Sequence, residues 1–282
     1  MALQLLKFPN HIIISRRFCR TSSFFLLSQS NSHHKLPARW VGVPIHRSFA
    51  AEVQPAKKKR RLDEVCLERY QQYSRTFIQS WIIQGHKLEA AIEQLRIDVS
   101  GKIALDSGLS TGGFTDCLLQ YGASFVYGVD VGYGQVAEKI RTDERVSVIE
   151  RTNLRHLPGL PQRVDLVTLD LSFISILLVM PAVIKVMKEE SSLVTLVKPQ
   201  FEARRSQVGS GGIVRDPLVH QEVLERIIKG VENFGFTSKG WIESPLKGAE
   251  GNTEFLVHFT RTAKKSEDEL KMLNTTESVQ LP

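Results

Sequence analysis

The chain has 282 residues, 42% hydrophobic and 24% charged, which fits one sizeable globular domain with appendages. Its longest apolar run, 177–187, is broken by a proline and a lysine, so we expect no bilayer span and no membrane partner. The three cysteines are scattered, lack metal-ligand spacing and predict a reduced compartment without a metal site.

The formal net charge of +7 comes from the N-terminal arm. Residues 1–51 contain seven Lys or Arg and no acid, whereas the rest of the chain carries 30 basic and 30 acidic residues. An Arg-rich, Ser-rich, acid-free segment is typical of an organellar transit peptide. We therefore predict a disordered transit peptide over 1–51, directed to the mitochondrion or alternatively to the chloroplast. A basic tail that binds RNA is the other interpretation.

A basic linker follows over 52–60, and its K-K-K-R-R run at 57–61 fits a nuclear signal, an RNA contact or a solvated linker. Over 61–86 the apolar spacing predicts two short helices, the second capped by Ser74. A separate helix is predicted over 87–95.

The stretch K-I-A-L-D-S-G-L-S-T-G-G-F at 102–114 has the order strand, tight turn, helix that opens a nucleotide-binding α/β domain. Its three glycines (Gly108, Gly112 and Gly113) allow a sharp turn and a close approach to a ligand. Ordinary punctuation between a strand and a helix is an equally good interpretation of the turn alone.

Further strands are predicted over 125–130, 146–149, 164–170, 191–198, 237–242 and 254–260. Four of the strands end in a charged residue: Asp106, Asp130, Asp170 and Lys198. Because parallel strands present their carboxyl ends to one crevice, these side chains should share a ligand site. The fold class is α/β, with a mostly parallel seven-stranded sheet and helices on both faces.

A polar loop with three arginines and three glycines follows Lys198, and we expect it to be mobile and to close over a phosphate backbone. A long solvated connection is the alternative interpretation. A helix is predicted over 217–234, and residues 263–282 are polar enough to be a disordered tail.

The motifs D-S-G-L-S-T-G-G-F-T-D, V-D-V-G-Y-G-Q, E-R-T-N, D-L-S-F-I-S, L-V-K-P-Q-F-E and G-G-I-V-R-D-P follow one another along the chain. In that order they resemble the TlyA (hemolysin A) family of FtsJ/RrmJ-like methyltransferases. The resemblance implies a Rossmann-like domain over 87–262 that depends on S-adenosylmethionine (SAM). It also implies methyl transfer to a ribose 2′-hydroxyl, with ribosomal RNA or a ribosomal subunit as partner. Segment 61–86 resembles the first half of an S4 RNA-binding module, whose second half is absent.

The resemblance implies a Lys-Asp-Lys-Glu tetrad, which falls here on Lys87, Asp170, Lys198 and Glu254. Lys198 would be the base and Asp170 would orient it, with Lys87 and Glu254 in support. For Glu254 and Lys87 a surface acid and an exposed helix residue are the alternatives.

For SAM, the family implies that Asp130 contacts the ribose and that Thr152 and Asn153 lie near the adenine. The turn around the methionine part comprises Asp106, Ser107, Gly108, Ser110, Thr111, Gly112, Gly113 and Phe114. No metal is implied. A non-enzymatic protein that binds RNA or the ribosome is the main alternative, favoured by the absent half of the S4-like segment. A methyltransferase acting on a small molecule is a further one.

Overall fold

The fold is organised by one seven-stranded sheet with strand order β3-β2-β1-β4-β5-β7-β6. The computed structural model describes residues 60–262, so the predicted transit peptide, nearly all of the linker and the predicted C-terminal tail lie outside the described residues. All neighbouring strands are parallel except β7, which is antiparallel to β5 and β6. The strands are β1 Ile103–Ser107, β2 Phe125–Val129, β3 Val146–Ile149, β4 Val164–Leu169, β5 Met187–Val197, β6 Phe236–Glu243 and β7 Phe255–Arg261.

Helices cover both faces of this sheet, so the predicted Rossmann-like α/β class is confirmed. They are α1 Leu62–Arg69, α2 Arg75–Gln94, α3 Gly113–Gln120, α4 Glu138–Arg141, α5 Ile176–Val186, α6 Pro199–Glu202 and α7 Pro217–Glu232. Short 3-10 turns occur at Leu154–His156, Arg205–Gln207, Ser210–Gly212 and Ala249–Gly251. None of these helices is long and apolar enough to cross a bilayer, within residues 60–262.

The core lies in two layers because side chains alternate between the faces of each strand. One layer joins alternate residues of β1, β4, β5 and β7 to α5 and α7. The other joins the intervening residues, among them Ala104, Leu196 and Leu256, to α2 and α3. The side facing α2 and α3 matters most for function. By the same alternation, the charged residues at the strand ends point to this side.

Helix α2 runs unbroken through the position where the sequence predicts one helix to end and another to begin. Ser74 caps it as predicted, since its hydroxyl accepts a hydrogen bond from the Phe77 amide at 3.2 Å. A glycine inside a helix costs only about 1 kcal/mol relative to alanine, and buried side chains on both sides of Gly85, such as Trp81 and Leu88, offset that cost. The prediction that one helix ends near residue 86 and a separate helix covers 87–95 is wrong, because a single helix, α2, runs through the predicted boundary at 86/87.

The carboxyl ends of the parallel strands meet at one edge of the sheet, as predicted. Asp106 is the fourth residue of β1, while Asp130, Asp170 and Lys198 each follow directly after a strand. Because β7 is antiparallel and Phe255 pairs with Val197, the residue before β7, Glu254, reaches this edge opposite Lys198.

Gly108 lets the chain turn sharply after β1 at this edge. Its φ of +88° is in the left-handed region, and an added Cβ would overlap the backbone carbonyl of Asp170. The turn and the end of β4 therefore touch backbone to backbone, which brings Asp170 against the glycine turn.

Candidate active site at the carboxyl edge of the sheet

A cleft of about 820 Å³ opens at the carboxyl edge of β1, β2 and β4. Its walls come from the turn after β1, the segments that follow β2, β3 and β4, and the start of the chain after β5. The lining residues include Gln84, Ser107, Gly108, Ser110, Asp130, Gly132, Thr152, Asn153, Asp170, Ser172, Phe173, Lys198 and Phe201. The segments that follow strands β1 to β5 therefore meet at this cleft. Such a meeting is expected of a ligand site at the switch point of a doubly wound sheet.

Lys198 and Asp170 form an ion pair in the wall of this cleft. The Lys198 Nζ lies 2.7 Å from Asp170 Oδ1 and donates a hydrogen bond to Ser172 Oγ at 3.1 Å. Their side chains are only 12% and 8% exposed, so the pair is largely shielded yet reachable from the cleft. The amine is also 6.0 Å from the centre of the Phe201 ring. An amine held by a carboxylate at a cleft wall is placed to exchange a proton with a bound hydroxyl.

Lys87 and Glu254 form a second ion pair, with Lys87 Nζ 2.6 Å from Glu254 Oε2. Both side chains are buried, at 7% and 3% exposure, so neither is the surface residue that the alternative interpretation supposed. Leu196 and Leu256 pack on the α2 side of the sheet, and two residues further along, Lys198 and Glu254 point to that same side. The four predicted tetrad residues thus form two ion pairs at one sheet edge, one in the cleft wall and one behind it.

The predicted cofactor residues divide into two groups. Ser107, Gly108, Ser110, Asp130 and the pair at 152–153 line the cleft. The other predicted residues do not line it: Asp106, Thr111, Gly112, Gly113 and Phe114.

Those five residues instead hold the glycine turn and α3 in place. Phe114 is in the core, and Gly113 lies so close to α2 that an added Cβ would be 2.7 Å from the Trp81 carbonyl oxygen. Gly112 ends the turn with a φ of +93° as the N-cap of α3. Thr111 donates a hydrogen bond to Gln84 Oε1 at 3.1 Å. These glycines serve helix packing, which their spacing alone could not distinguish from ligand contact.

Asp106 is completely buried beneath the cleft. Its carboxylate accepts hydrogen bonds from Thr115 Oγ1 at 2.8 Å and from Thr168 Oγ1 at 2.9 Å. Burial raises the pKa of Asp106 to about 7, an effect that the two threonine hydrogen bonds oppose and the charge of Asp170 reinforces. Asp106 therefore supports β4 and α3 from below.

Asp130 links two loops at the rim of the cleft. Its two carboxylate oxygens accept hydrogen bonds from the Ser110 and Gly132 amides, both at 2.7 Å. A carboxylate has about four acceptor positions, so Asp130 keeps the capacity to accept from the hydroxyls of a ribose. Thr152 and Asn153, on the segment after β3, lie along the same wall.

Two parts of the cleft were missed at the sequence level. Gln84 reaches it from α2, a helix whose contact with the glycine turn has no local signal. Phe173 lies on the D-L-S-F-I-S segment after β4, is 89% exposed with a φ of 62°, and packs against Phe201 with tilted rings whose centres are 4.7 Å apart. An aromatic residue three positions after a strand-end acid could have been noticed. Within residues 60–262, no group of three or more His, Cys, Asp or Glu could hold a metal ion.

A family model described as FtsJ-like methyltransferase matches residues 84–261. The chain belongs to the FtsJ-like methyltransferase family. YqxC of Bacillus subtilis is 49% identical over 180 residues, which cover 62% of this chain and 63% of YqxC. TlyA of Mycobacterium tuberculosis, named a 16S/23S rRNA (cytidine-2′-O)-methyltransferase, is 45% identical over 181 residues, covering 63% of this chain and 68% of TlyA.

Two solved structures of proteins named as hemolysins resemble the FtsJ-like chain closely. The Lactococcus lactis protein has a TM-score of 0.61 at 42% identity and covers 67% of this chain and 96% of its own. The Streptococcus thermophilus protein has a TM-score of 0.62 at 38% identity and covers 69% of this chain and 75% of its own. The predicted resemblance to the TlyA (hemolysin A) family is thereby confirmed.

The buried pair Lys87–Glu254 predicts a non-additive effect on stability. Because removing one partner leaves the other charge buried and unpaired, Lys87→Met and Glu254→Met should each lower the free energy of unfolding by about 3 kcal/mol. The double variant should lose less than either single one. Urea unfolding of all four proteins measures this cycle, and losses that simply add would show that the two side chains do not depend on each other.

The buried Asp106 predicts a specific pH dependence. A folded-state pKa of about 7, above that of the unfolded chain, means that the folded protein binds the proton more tightly. Asp106 therefore makes its full contribution to the free energy of unfolding below about pH 4, and this contribution is lost as the pH rises towards 7. Asp106→Asn should remove the loss, so its free energy of unfolding relative to wild type should rise by a few kcal/mol between pH 5 and 7.5. A difference independent of pH would refute the assignment.

Proposed function

We propose that this protein transfers a methyl group from SAM to a ribose 2′-hydroxyl of ribosomal RNA. The observation that carries the proposal is the Lys198–Asp170 ion pair in the wall of the cleft, beside the glycine turn. A ribose hydroxyl is a poor nucleophile, and it attacks a methyl donor only if a base takes its proton. The cleft offers such a base next to a compartment of the size that a cofactor requires.

The residues along the cleft fit SAM. Gly108 and Ser110 offer backbone without bulk at the turn, and Asp130 has free acceptor capacity for a ribose. Thr152 and Asn153 provide polar groups further along, where the adenine would lie. When bound, SAM supplies the methyl group on a positively charged sulfur, and the Asp170 carboxylate in the wall favours a positive charge nearby.

Lys198 takes the proton from the 2′-hydroxyl in this proposal. A lysine serves as a base only in its neutral form, so the Lys198 ammonium must first release its own proton to solvent through the cleft before it takes the hydroxyl proton. Asp170 holds the amine by its 2.7 Å contact, and Ser172 fixes it from another direction. Lys87 and Glu254 do not line the cleft, so their role is to brace the sheet edge that carries Lys198.

The surface at the cleft suits RNA as the acceptor. Phe173 presents an exposed ring beside Phe201, whose ring lies 6.0 Å from the Lys198 amine, and nucleobases of single-stranded RNA stack on such rings. TlyA of Mycobacterium tuberculosis is named for methylation of cytidines in 16S and 23S rRNA, which supports ribosomal RNA or a ribosomal subunit as the partner. The alignment covers only 63% of YqxC, so functions of the remaining part of that relative do not transfer to this chain.

A protein that binds RNA or the ribosome without catalysing transfer is the second candidate. The α1–α2 segment favours this candidate, because it resembles only half of an S4 module. Half a module would place rRNA over the cleft less well than a whole one. The buried tetrad opposes it, since binding alone does not require two shielded ion pairs at a cleft.

Lys198→Ala is the direct test of the base. The variant should keep its affinity for SAM in calorimetry and lose transfer of tritiated methyl groups to organellar rRNA by about 10³-fold. Lys188→Ala is the control, because Lys188 also forms a lysine–aspartate ion pair, with Asp165 at 2.6 Å, but lies outside the cleft and is more exposed. Transfer by Lys198→Ala at the wild-type rate would exclude Lys198 as the base, and wild-type binding of RNA without transfer would favour the second candidate.

We further propose that the protein acts in the mitochondrion, with the chloroplast as the alternative. The acid-free, Arg-rich composition of residues 1–51 supports an organellar address. Fusing residues 1–51 to a fluorescent protein should send it into mitochondria, and the chain from residue 52 onward should remain outside. Accumulation of the 1–51 fusion in the cytosol or nucleus would overturn this proposal.

A further inference from the structure

A second depression is formed by α6 and the loop that follows it. It has a volume of about 420 Å³ and is lined by Gln200, Ala203, Arg205, Val208 and Gly209. Helix α6 begins directly after Lys198, and its Phe201 lines the main cleft. The second depression, here called the Gln200 pocket, is therefore one short helix away from the proposed base.

The Gln200 pocket combines free cations with a free acceptor. Arg205 is exposed, and within residues 60–262 it has no carboxylate within 4.0 Å. The guanidinium of Arg215 reaches the rim, since its Nη1 lies 3.4 Å from where a Cβ at Gly209 would be. Gln200 Oε1 is buried and has no hydrogen-bond partner in the described part of the chain. A buried acceptor without a donor is costly, so the Gln200 side chain, which lines the pocket, gains by turning this oxygen towards a ligand with a hydroxyl donor.

The loop that holds these arginines is tied down rather than loosely hinged. The Gly209 amide donates to the Ile213 carbonyl at 2.9 Å. Asn252, which is 2% exposed, accepts from the Val214 amide at 3.1 Å and donates to the Gly212 carbonyl at 3.0 Å. The backbone on the N-terminal side of Arg215 is thus anchored, and a ligand need not order this part of the loop on binding.

We propose that the Gln200 pocket binds the ribose and phosphate of an RNA nucleotide adjacent to the one that is methylated. The phosphate oxygens accept hydrogen bonds from Arg205 and Arg215, and the ribose 2′-hydroxyl donates to Gln200 Oε1. This inference rests on the proposed function and adds a subsite to it. The Gln200 contact would also distinguish RNA from DNA at a nucleotide other than the one that is methylated, because DNA lacks the 2′-hydroxyl.

The test uses the full chain and two probes, a ten-nucleotide oligocytidylate and its 2′-deoxy counterpart, with binding followed by fluorescence anisotropy. Arg205→Ala and Arg215→Ala should each weaken RNA binding about tenfold, and the double variant little more, since both arginines hold one phosphate. The slope of log affinity against log salt should become shallower by about 0.7. Arg163→Ala, an exposed arginine just before β4 at the opposite sheet edge, is the control and should change neither quantity.

Gln200→Leu separates this subsite from a general basic surface. It should lower the preference for oligocytidylate over the deoxy probe about fivefold and leave the salt slope unchanged. An unchanged preference would refute the ribose contact, and a double arginine variant that binds like Arg163→Ala would refute the phosphate contact. Either result leaves the proposed function standing if wild-type protein methylates rRNA. A wild-type protein that methylates no rRNA would instead remove the proposed function itself.

Discussion

The proposed active site depends on one interaction, the ion pair between Lys198 and Asp170 at the carboxyl edge of the sheet. Neither residue could be held there by a surface loop alone, because a shielded charge needs its partner at a fixed distance. Parallel strands β4 and β5 supply that distance, since each residue follows directly after its strand. The backbone contact between Gly108 and Asp170 then places the glycine turn against the same carboxylate. The proposed donor compartment and the proposed base thus share one wall.

Buried polar contacts stabilise this edge from behind. Asp106 connects β1 to β4 and α3 through two threonines, and Lys87 connects α2 to Glu254. Asn252, two residues before Glu254, holds the loop that carries Arg215. The side of the cleft that would meet RNA and the side that would meet SAM are therefore parts of one packed unit. A rigid arrangement of this kind contributes to catalysis mainly by positioning the reacting groups.

The sequence predicted much of this arrangement because strand ends have a local signature. Continuous apolar runs that end in Asp or Lys identified β1, β2, β4 and β5 and placed their polar ends at one edge. What the sequence could not predict depends on tertiary contacts. Gly112 and Gly113 were predicted as ligand glycines but lie against neighbouring helices, Gly112 against α4 and Gly113 against α2, which only the tertiary structure shows. The unbroken course of α2 through Gly85 likewise depends on buried neighbours rather than on local propensity. Gln84 has no signal along the chain, and of the Gln200 pocket only the arginines of the loop after Lys198 were indicated by the sequence.

The chemical identity of the methylated atom tests the central claim most directly. Ribosomal RNA labelled by the wild-type protein with tritiated SAM would be hydrolysed in alkali and the products separated by size. Alkaline cleavage of RNA requires a free 2′-hydroxyl, so a ribose methylated at that oxygen remains in an uncleaved dinucleotide. The account predicts that the tritium is recovered in dinucleotides. Tritium in mononucleotides would place the methyl group on a base and contradict the assignment of Lys198 as the base for a ribose hydroxyl.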